Sequence, residues 1–593
     1  MASFGNTEMI RREAMRQKSA LWNEFERIRA PLTEIARAVY PPAVDGLVRR
    51  VEDLHSPMMY EGGEDEYRLT YAPMRAFRIG CSGFYVNFMS PARRWYRFVA
   101  KPRNFASGAT DERTAPWIDS LTEASRYMIY HSGSYPALNT AIRHLIAFGF
   151  ACVLSRPETE DEQRRRGRYI VTECLRVGTY ALGVDSYGKP DRVLRHFAFT
   201  AEQLAEQFGR DALPETVLND LRRGSDRRHE VWCLIEPHRR GFREDARAFR
   251  LSYDAFAYRA VYWLTSAEGK NNGVLAVRGY ARKPFVAPRL EVEAGDVYGR
   301  GRCMDILGDI RGLQTACEDD LDISGQNAQP AVVASEQLKT PGVHLGRGGV
   351  NYVAPGEQRA NAIYRALQDP PSAEGTRATM GRLEQEIKDA FFNNEFASIN
   401  SDDQNNPVRT ATEIEYRKRQ SMEQLSGAAT ALDEEFLLPL IEMMRDYTVL
   451  VGLYAIPNGV SLSMLDIKYE SNVHRAQNAP DVNSRTESLS FAAQVAQMQV
   501  QAGVSDTVMD NFRMDDIVRN HHRALGAPEH DLVSPETVKG VRAGREQAAQ
   551  AQAQIAQEGA AAQIAKDQAA AAKAAAEARA ASGGMFEQAM AGM

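Results

Sequence analysis

The hydrophobic pattern of the chain changes near residue 301. Before that point, apolar and polar residues alternate over short stretches such as 169–175 and 180–185, and a two-residue period predicts strands. Two longer stretches, 8–40 and 115–150, instead repeat apolar residues at helical spacing. After residue 301 the helical period dominates. The pattern therefore predicts an α+β, helix-dominated fold whose strands lie mostly in the first half of the chain.

Prolines and glycines mark the ends of the predicted elements. Pro31 lies inside the first helical stretch and is expected to kink or split it, and Pro41 with Pro42 should end it. The glycine-rich stretch 295–301 follows a short apolar strand and precedes a helix. It lacks the third glycine or the lysine of a nucleotide-binding loop, so we interpret it as a sharp corner between strand and helix.

The helix predicted at 302–325 has an unusual distribution of charge. Glu318, Asp319, Asp320 and Asp322 all lie towards its C-terminal end. Negative charge at that end opposes the helix dipole, so local stability does not explain these acids. They form either a solvated face or an acidic wall, and the sequence pattern alone leaves both interpretations open.

Further helices follow this one, separated by loops. Residues 326–371 contain prolines, glycines and short strand-like pieces, and residues 372–395 form a second helix with an apolar stripe. A polar loop without periodicity is predicted at 397–407. Thr410 and Glu413 then have the spacing of a capping box, which predicts the start of a long helix that is kinked at Pro439.

Composition limits the class of protein. The chain has 593 residues, of which 44% are hydrophobic and 25% charged, and its net charge is −6. Several domains are expected at this length, and the weak negative charge argues against a protein that coats nucleic acid. The N-terminus lacks the pattern of a secretory signal, and the longest apolar run is too short to span a membrane. Synthesis and folding in the cytoplasm are therefore expected.

The last part of the chain is a low-complexity segment. Residues 547–582 are roughly half alanine, with Gln, Lys and Glu between. Alanine favours helix, but the segment lacks a broad apolar face. We expect a marginal helix or disorder unless neighbours in an assembly hold it.

The sequence offers no catalytic, cofactor-binding or metal-binding constellation. It contains no phosphate-binding P-loop, no H-E-x-x-H and no G-x-S-x-G, and its six cysteines form no C-x-x-C pair. Buried, reduced thiols and a non-enzymatic protein are therefore predicted. The adjacent His521 and His522 are interpreted as solvated residues. The arginine cluster at 164–168 could contact phosphate, but a solvated loop tip is the preferred interpretation.

Several motifs, taken in order, resemble the head-to-tail connector (portal) proteins of short-tailed, podovirus-type bacteriophages. The similarity covers most of residues 10–530 and is weakest at 40–115. Its most specific stretches are 138–149, 184–193, 284–313, 409–414 and 434–440. The residues that carry it in the corner, the first helix and the capping box are Tyr298, Gly299, Arg300, Gly308, Asp309, Arg409, Thr410 and Glu413.

The resemblance implies a ring of twelve subunits at one vertex of the virion capsid, assembled in the host cytoplasm. Double-stranded DNA would pass through the ring during packaging and ejection. The implied protein partners are the capsid protein, the scaffolding protein, the terminase motor, the tail adaptor and internal core proteins, with no membrane and no cofactor. The alternatives are another collar or adaptor protein of the virion, or a DNA-packaging nuclease.

The family plan also divides the chain into segments. Residues 1–301 would be the wing, 302–325 and 372–395 the two stem helices, and 326–371 the clip between them. The tunnel loop would be 396–409, the long kinked helix 410–447, the crown 448–540, and the alanine-rich tail 541–593.

A ring of helices can accommodate a DNA duplex. Twelve helices of roughly 10 Å diameter give a circumference of about 120 Å and a free lumen of about 28 Å. That is wider than B-form DNA, and an acidic lumen would repel phosphates rather than grip them. The residues expected at the DNA channel are Glu318, Asp319, Asp320, Asp322, Asp402, Asp403, Asn405 and Asn406.

Overall fold

A computed structural model gives the structure of the protein. It describes residues 2–55, 69–101, 115–158, 160–238, 257–265, 273–328, 332–334, 363–365, 372–400, 411–456, 462–501, 508–524, 531–533 and 535–590. The chain forms two compact units. The first contains Met1–Gly108 and Trp117–Asp506, and the second contains Ala109–Pro116 and Thr507–Met593.

Helices make up most of the described part of the first unit. The helices before the corner are α1 (Ala2–Val39), α2 (Val44–Val48), α3 (Ala72–Met89), α4 (Ala115–His131), α5 (Tyr135–Phe148), α6 (Glu160–Arg166), α7 (Ala201–Phe208) and α8 (Glu215–Arg223). Those after it are α9 (Arg302–Asp305), α10 (Leu307–Ala328), α11 (Glu374–Ala390), α12 (Asn393–Asn400), α13 (Ala411–Leu432), α14 (Leu438–Leu450) and α15 (Asn472–Gln501).

The strands form antiparallel sheets. The largest described sheet has the order β4-β5-β6-β7-β8, from β4 (Tyr180–Val184), β5 (Pro190–Thr200), β6 (Arg228–Pro237), β7 (Tyr258–Leu264) and β8 (Val274–Tyr280). A second sheet pairs β3 (Ile170–Cys174), β2 (Val153–Pro157) and β9 (Phe285–Val286). Two further pairs join β1 (Tyr96–Ala100) to β12 (Leu465–Tyr469), and β10 (Val332–Ala334) to β11 (Ile363–Arg365).

One connected hydrophobic core holds the first unit together. It reaches from Ile10 in α1 to Val473 at the start of α15. Helix α1 buries a stripe at helical spacing that includes Phe25, Leu32 and Ile35, as its sequence pattern predicted. The prediction of an α+β fold in which helices dominate is confirmed.

The described part of the second unit contains helix α16 (Met514–Ala524) and helix α17 (Pro535–Met590). Asp515 and Arg542 join them through a bidentate ion pair of 2.6 and 2.7 Å. The alanine-rich tail is helical as far as Met590, and its described side chains are exposed along the helix. No helix in the described part of the chain is both long and apolar enough to cross a membrane.

The structure corrects two predictions about local structure in the first half of the chain. Of the two outcomes expected at Pro31, a kink or a split, the split does not occur: α1 is continuous from Ala2 to Val39, because buried side chains on both sides of the proline hold it against the core. The arginine cluster is not a loop tip, since Arg164–Arg166 belong to the short helix α6. Arg166 and Arg168 both approach the buried carboxylate of Glu158, at 3.3 and 3.2 Å.

Candidate functional site: the glycine corner and the helical hairpin

The stretch between β9 and α9 is a corner built from close backbone contacts. Gly149 ends α5 with a positive φ of 82°. A Cβ atom there would lie 2.3 Å from the carbonyl carbon of Arg300, and a Cβ at Gly301 would lie 2.5 Å from the oxygen of Ala147. Only glycine permits this approach, so the glycines hold the end of α5 against the start of the hairpin.

Tyr298 fixes the same corner from the side of the sheet. Its hydroxyl accepts a hydrogen bond of 3.0 Å from the backbone N–H of Leu182 in β4. Its ring packs against Phe150 at 4.8 Å between centroids. The neighbouring Arg300 is exposed. Tyr298 and Gly299 are therefore structural parts of the corner, as the sequence interpretation of a strand-to-helix turn predicted.

Arg289 connects the corner to the long helix. Its guanidinium forms a bidentate pair with Glu435, with Nη2 to Oε1 at 2.9 Å and Nε to Oε2 at 3.1 Å. Its Nη1 also donates to the carbonyl oxygen of Val297 at 3.3 Å. Both residues lie in stretches that carry the family resemblance, 284–313 and 434–440. The sequence did not predict their pairing, because a contact between residues 146 positions apart leaves no local pattern.

Beyond the corner, α10 and α11 form an antiparallel hairpin. Leu383 lies 3.6 Å from the position of a Cβ on Gly312, and nearer the other end Arg377 forms an ion pair of 2.9 Å with Asp320. Leu313 and Ile387 are buried on the packed faces. The two predicted stem helices are thus brought together. The first has a break at Ile306 and continues to Ala328, three residues beyond the predicted end.

The four acids of α10 are divided between two environments. Asp320 is half-buried and directed towards α11 through its pair with Arg377. Glu318, Asp319 and Asp322 are exposed. Helical geometry places these three on the side of α10 that faces away from α11. The hairpin therefore presents an acidic outer face, which we call the acidic face.

Two family residues lie at the beginning of α10. Asp309 occupies the first turn, where the helix dipole favours a carboxylate. Gly308 is exposed, and a Cβ added to it would meet nothing within 4 Å. Unlike Gly299, it is not required by a close contact inside the subunit.

An aromatic cluster anchors the end of the hairpin to α3. The ring of Phe396 packs on Phe84 at 4.8 Å, and Phe391 packs on Phe77 at 5.7 Å. Phe392 has a positive φ of 57°, and this backbone conformation separates helix α11 from helix α12. These contacts explain why residues 397–400, predicted as part of a polar loop, are instead the end of helix α12.

The remaining predicted channel and motif residues fall largely outside the described part of the chain. This holds for Asp402, Asp403, Asn405, Asn406, Arg409 and Thr410. Glu413 lies in the first turns of α13, which begins at Ala411. One of the short strand-like pieces between the two hairpin helices, residues 350–353, is also outside the described residues.

The long helix is interrupted by a π turn, Asp433–Leu437, rather than by a simple proline kink. The Leu438 N–H donates to the oxygen of Asp433, five residues back. Pro439 follows directly, where an α-helical path would bring its ring against the Glu435 carbonyl. The wider turn avoids that clash, which is the physical reason for the interruption.

Residues after β12 contact the side chain of Asp433, the first residue of this turn. His474 Nε2 lies 2.7 Å from Asp433 Oδ2, and its Nδ1 lies 2.6 Å from Ser471 Oγ. Ser471 also accepts from the His474 N–H at 3.4 Å at the start of α15. Serine and histidine are both buried, so this arrangement caps a helix and offers a substrate no access.

Other titratable groups have shifted pKa values because they are buried. Burial lowers the pKa of His144 to about 4, and it raises the pKa of Cys152 and of Cys233 to about 12. All six cysteines are free, as expected for reduced thiols. Among the described residues, no group of three or more His, Cys, Asp or Glu side chains could hold a metal ion.

Comparison with known proteins places this architecture among phage proteins. A family model described as bacteriophage head to tail connecting protein matches residues 11–533. The probable portal protein of Bordetella phage BPP-1 is 25% identical over 498 residues, which cover 82% of this chain and 84% of that protein. The portal protein of Salmonella phage epsilon15 is 26% identical over 492 residues, with coverages of 82% and 83%. The portal protein of Enterobacteria phage T3 is 24% identical over 452 residues, with coverages of 72% and 78%.

Proposed function

Because the chain belongs to the family of bacteriophage head to tail connecting proteins, we propose that it is the portal subunit of a virion. Twelve copies form a ring at one capsid vertex, and double-stranded DNA passes through its centre during packaging and ejection. The protein acts as a conduit and docking ring rather than as an enzyme. Its similarity to portal proteins over most of both chains supports this proposal.

The observation that carries the proposal is the acidic face of the helical hairpin. Its acids, Glu318, Asp319 and Asp322, are exposed and form no ion pair with another residue that the structure describes. Exposed carboxylates repel phosphate and prevent the salt-dependent binding that lysine and arginine would produce. A channel that must let DNA slide in both directions needs this property.

The proposed segments follow the family plan. The wing is 1–301, the stem is 302–325 with 372–395, and the clip is 326–371. The tunnel loop is 396–409, the long helix 410–447, the crown 448–540 and the tail 541–593. In this arrangement Asp402, Asp403, Asn405 and Asn406 join the acidic face in lining the channel.

The partners follow from the position in the virion. The ring is expected to contact the capsid protein and the scaffolding protein at the vertex. The clip is expected to bind the terminase motor during packaging and the tail adaptor afterwards, and the opposite end to face internal core proteins.

The acidic face can be tested by reversing its charge. A triple variant of the chain should form rings that bind duplex DNA, with an affinity that falls steeply as salt is added. Every copy in these rings carries Glu318→Lys, Asp319→Lys and Asp322→Lys. A matched control reverses the exposed wing acids Glu202, Asp211 and Asp226, which gives the same change in net charge.

The readout is DNA binding by wild-type, stem-variant and wing-control rings across a salt series. The proposal expects strong, salt-sensitive binding for the stem variant alone. Equal binding by the stem variant and the wing control would mean that net charge, and not a channel surface, determines the interaction.

A further inference from the structure

We propose that Arg289 is a positioning residue of the channel, which fixes the stem hairpin and the long helix relative to each other through Glu435. This inference rests on the proposed portal function. It goes further by naming a contact that determines where the channel-forming helices lie.

Arg289 is placed to hold two chain segments at once. Its side chain is only 3% exposed. One edge of the guanidinium binds Glu435 in a bidentate pair, and Nη1 donates to the carbonyl oxygens of Asp296 and Val297 at 3.5 and 3.3 Å. Its backbone N–H also donates to Glu435 at 3.0 Å. The residue therefore ties the loop that leads into α9 directly to the long helix.

The π turn determines that Glu435 meets Arg289. A π turn contains one more residue per turn than an α-helix, and each helical residue accounts for about 100° of rotation. Relative to α14, a regular helix through this segment would change the direction of the Glu435 side chain by up to about 100°. The clash between Pro439 and the Glu435 carbonyl keeps the helix in the π geometry.

A second contact holds the turn from another direction. Asp433 and Glu435 are two residues apart, so their side chains leave the helix on opposite sides. Asp433 is held by His474 at 2.7 Å, and the Tyr469 hydroxyl donates to its backbone oxygen at 3.2 Å. The turn is thus fixed between the corner and the residues that begin the crown.

The helix on the far side of the turn is fixed to the wing. The Tyr447 hydroxyl donates to the oxygen of Ser155 in β2 at 3.0 Å, and both partners are buried. With α14 anchored there, the Arg289 contact links the corner and α9 to the long helix. The hairpin leaves the wing from that corner, so its direction depends on this contact together with the aromatic cluster that anchors its other end to α3.

The experiment compares cryo-electron microscopy maps of purified rings from wild type and single variants. Glu435→Gln removes the charge with almost no change in size, and Arg289→Lys keeps the charge but loses the planar fork. In the maps of both variants, we expect the hairpin density to be displaced relative to the wing sheet or to be weaker than in wild type. Glu435→Asp, which keeps the charge, should retain part of the wild-type hairpin density.

The matched control is Glu236→Gln, which weakens another buried ion pair inside the wing sheet, in which Nε and Nη2 of Arg259 both donate to Oε1 of Glu236. It should lower the thermal unfolding midpoint at least as much as Glu435→Gln, while the hairpin stays in place. Hairpins that remain in the wild-type position in both Glu435→Gln and Arg289→Lys would overturn the inference. So would loss of the ring in Glu435→Asp, since the contact would then hold the fold.

The outcome separates this inference from the proposed function. If wild-type protein forms no ring, the portal proposal fails before any variant is compared. If wild-type rings form and the hairpin does not respond to the variants, only the positioning role of Arg289 fails.

Discussion

Replacing Gly299 with alanine should break the corner. The added Cβ would lie 2.2 Å from the oxygen of Leu290 and 2.5 Å from the oxygen of Gly149. These are backbone atoms, and they cannot move aside as the end of a flexible side chain can. The Leu290 oxygen accepts from the Arg300 N–H, and the Gly149 oxygen accepts from the Leu290 N–H, both at 2.8 Å.

The magnitude follows from these contacts. Losing two backbone hydrogen bonds costs about 2 kcal/mol, and overpacking adds roughly 1–3 kcal/mol. The free energy of unfolding should therefore fall by about 3–5 kcal/mol. Gly308→Ala is the matched control in the same motif, because its Cβ would meet nothing within 4 Å. Replacing a helical glycine with alanine should leave the protein as stable or add up to about 1 kcal/mol.

The assay is urea unfolding followed by tryptophan fluorescence, with wild type, Gly299→Ala and Gly308→Ala measured side by side. The predicted order of midpoints places Gly299→Ala clearly lowest and Gly308→Ala at or above wild type. A Gly299→Ala protein as stable as Gly308→Ala would refute the close backbone packing of the corner.

Three further predictions concern the pH dependence and the packing of the first unit. Burial lowers the pKa of His144 and of His196 to about 4, so the unfolded chain binds protons at a higher pH than the folded chain does. The free energy of unfolding should therefore be highest above pH 6.5 and fall as the pH drops towards 4, by about 3 kcal/mol for His144. A thermal unfolding midpoint that does not change across that range would contradict this prediction. Phe396→Ala should cost about 3–5 kcal/mol in urea unfolding, whereas Phe491→Ala, at a 68% exposed position, should cost less than about 0.5 kcal/mol. Asp320→Ala removes a partly exposed ion pair and should change the unfolding free energy by less than about 1 kcal/mol; a larger loss would show that the pair is a main support of the hairpin.

The sequence was most informative where a local pattern and a local cause coincide. Helix α1 is such a case, because it buries the apolar residues that recur at helical spacing in its sequence. The corner was recognised because glycines interrupt an apolar strand just before a helical period. The hairpin followed from two amphipathic helices on either side of the segment 326–371.

The parts that the sequence did not predict depend on long-range contacts. Strand β1 pairs with β12, and these lie in the segments predicted as wing and crown. The Arg289–Glu435 pair and the π turn are similarly invisible to a periodicity argument, because each requires knowledge of which distant residue lies opposite. Pro439 gave a signal for an interruption, but it could not specify the π geometry.

The candidate site was predicted in part. The acids of α10 were identified from a charge distribution that opposes the helix dipole, and three of them are exposed. The different environment of Asp320 could have been suspected from helical geometry, since it lies on the same stripe as Leu313 and Cys317. Its partner Arg377 could not be chosen without the register of the hairpin.

The most direct test of the portal account is the native mass of the purified protein together with image averages of the particle. A ring of twelve copies of a 66.1 kDa chain should have a mass of about 790 kDa and an axial channel wider than a DNA duplex. A particle that stays monomeric, or a solid particle without an axial channel, would contradict it.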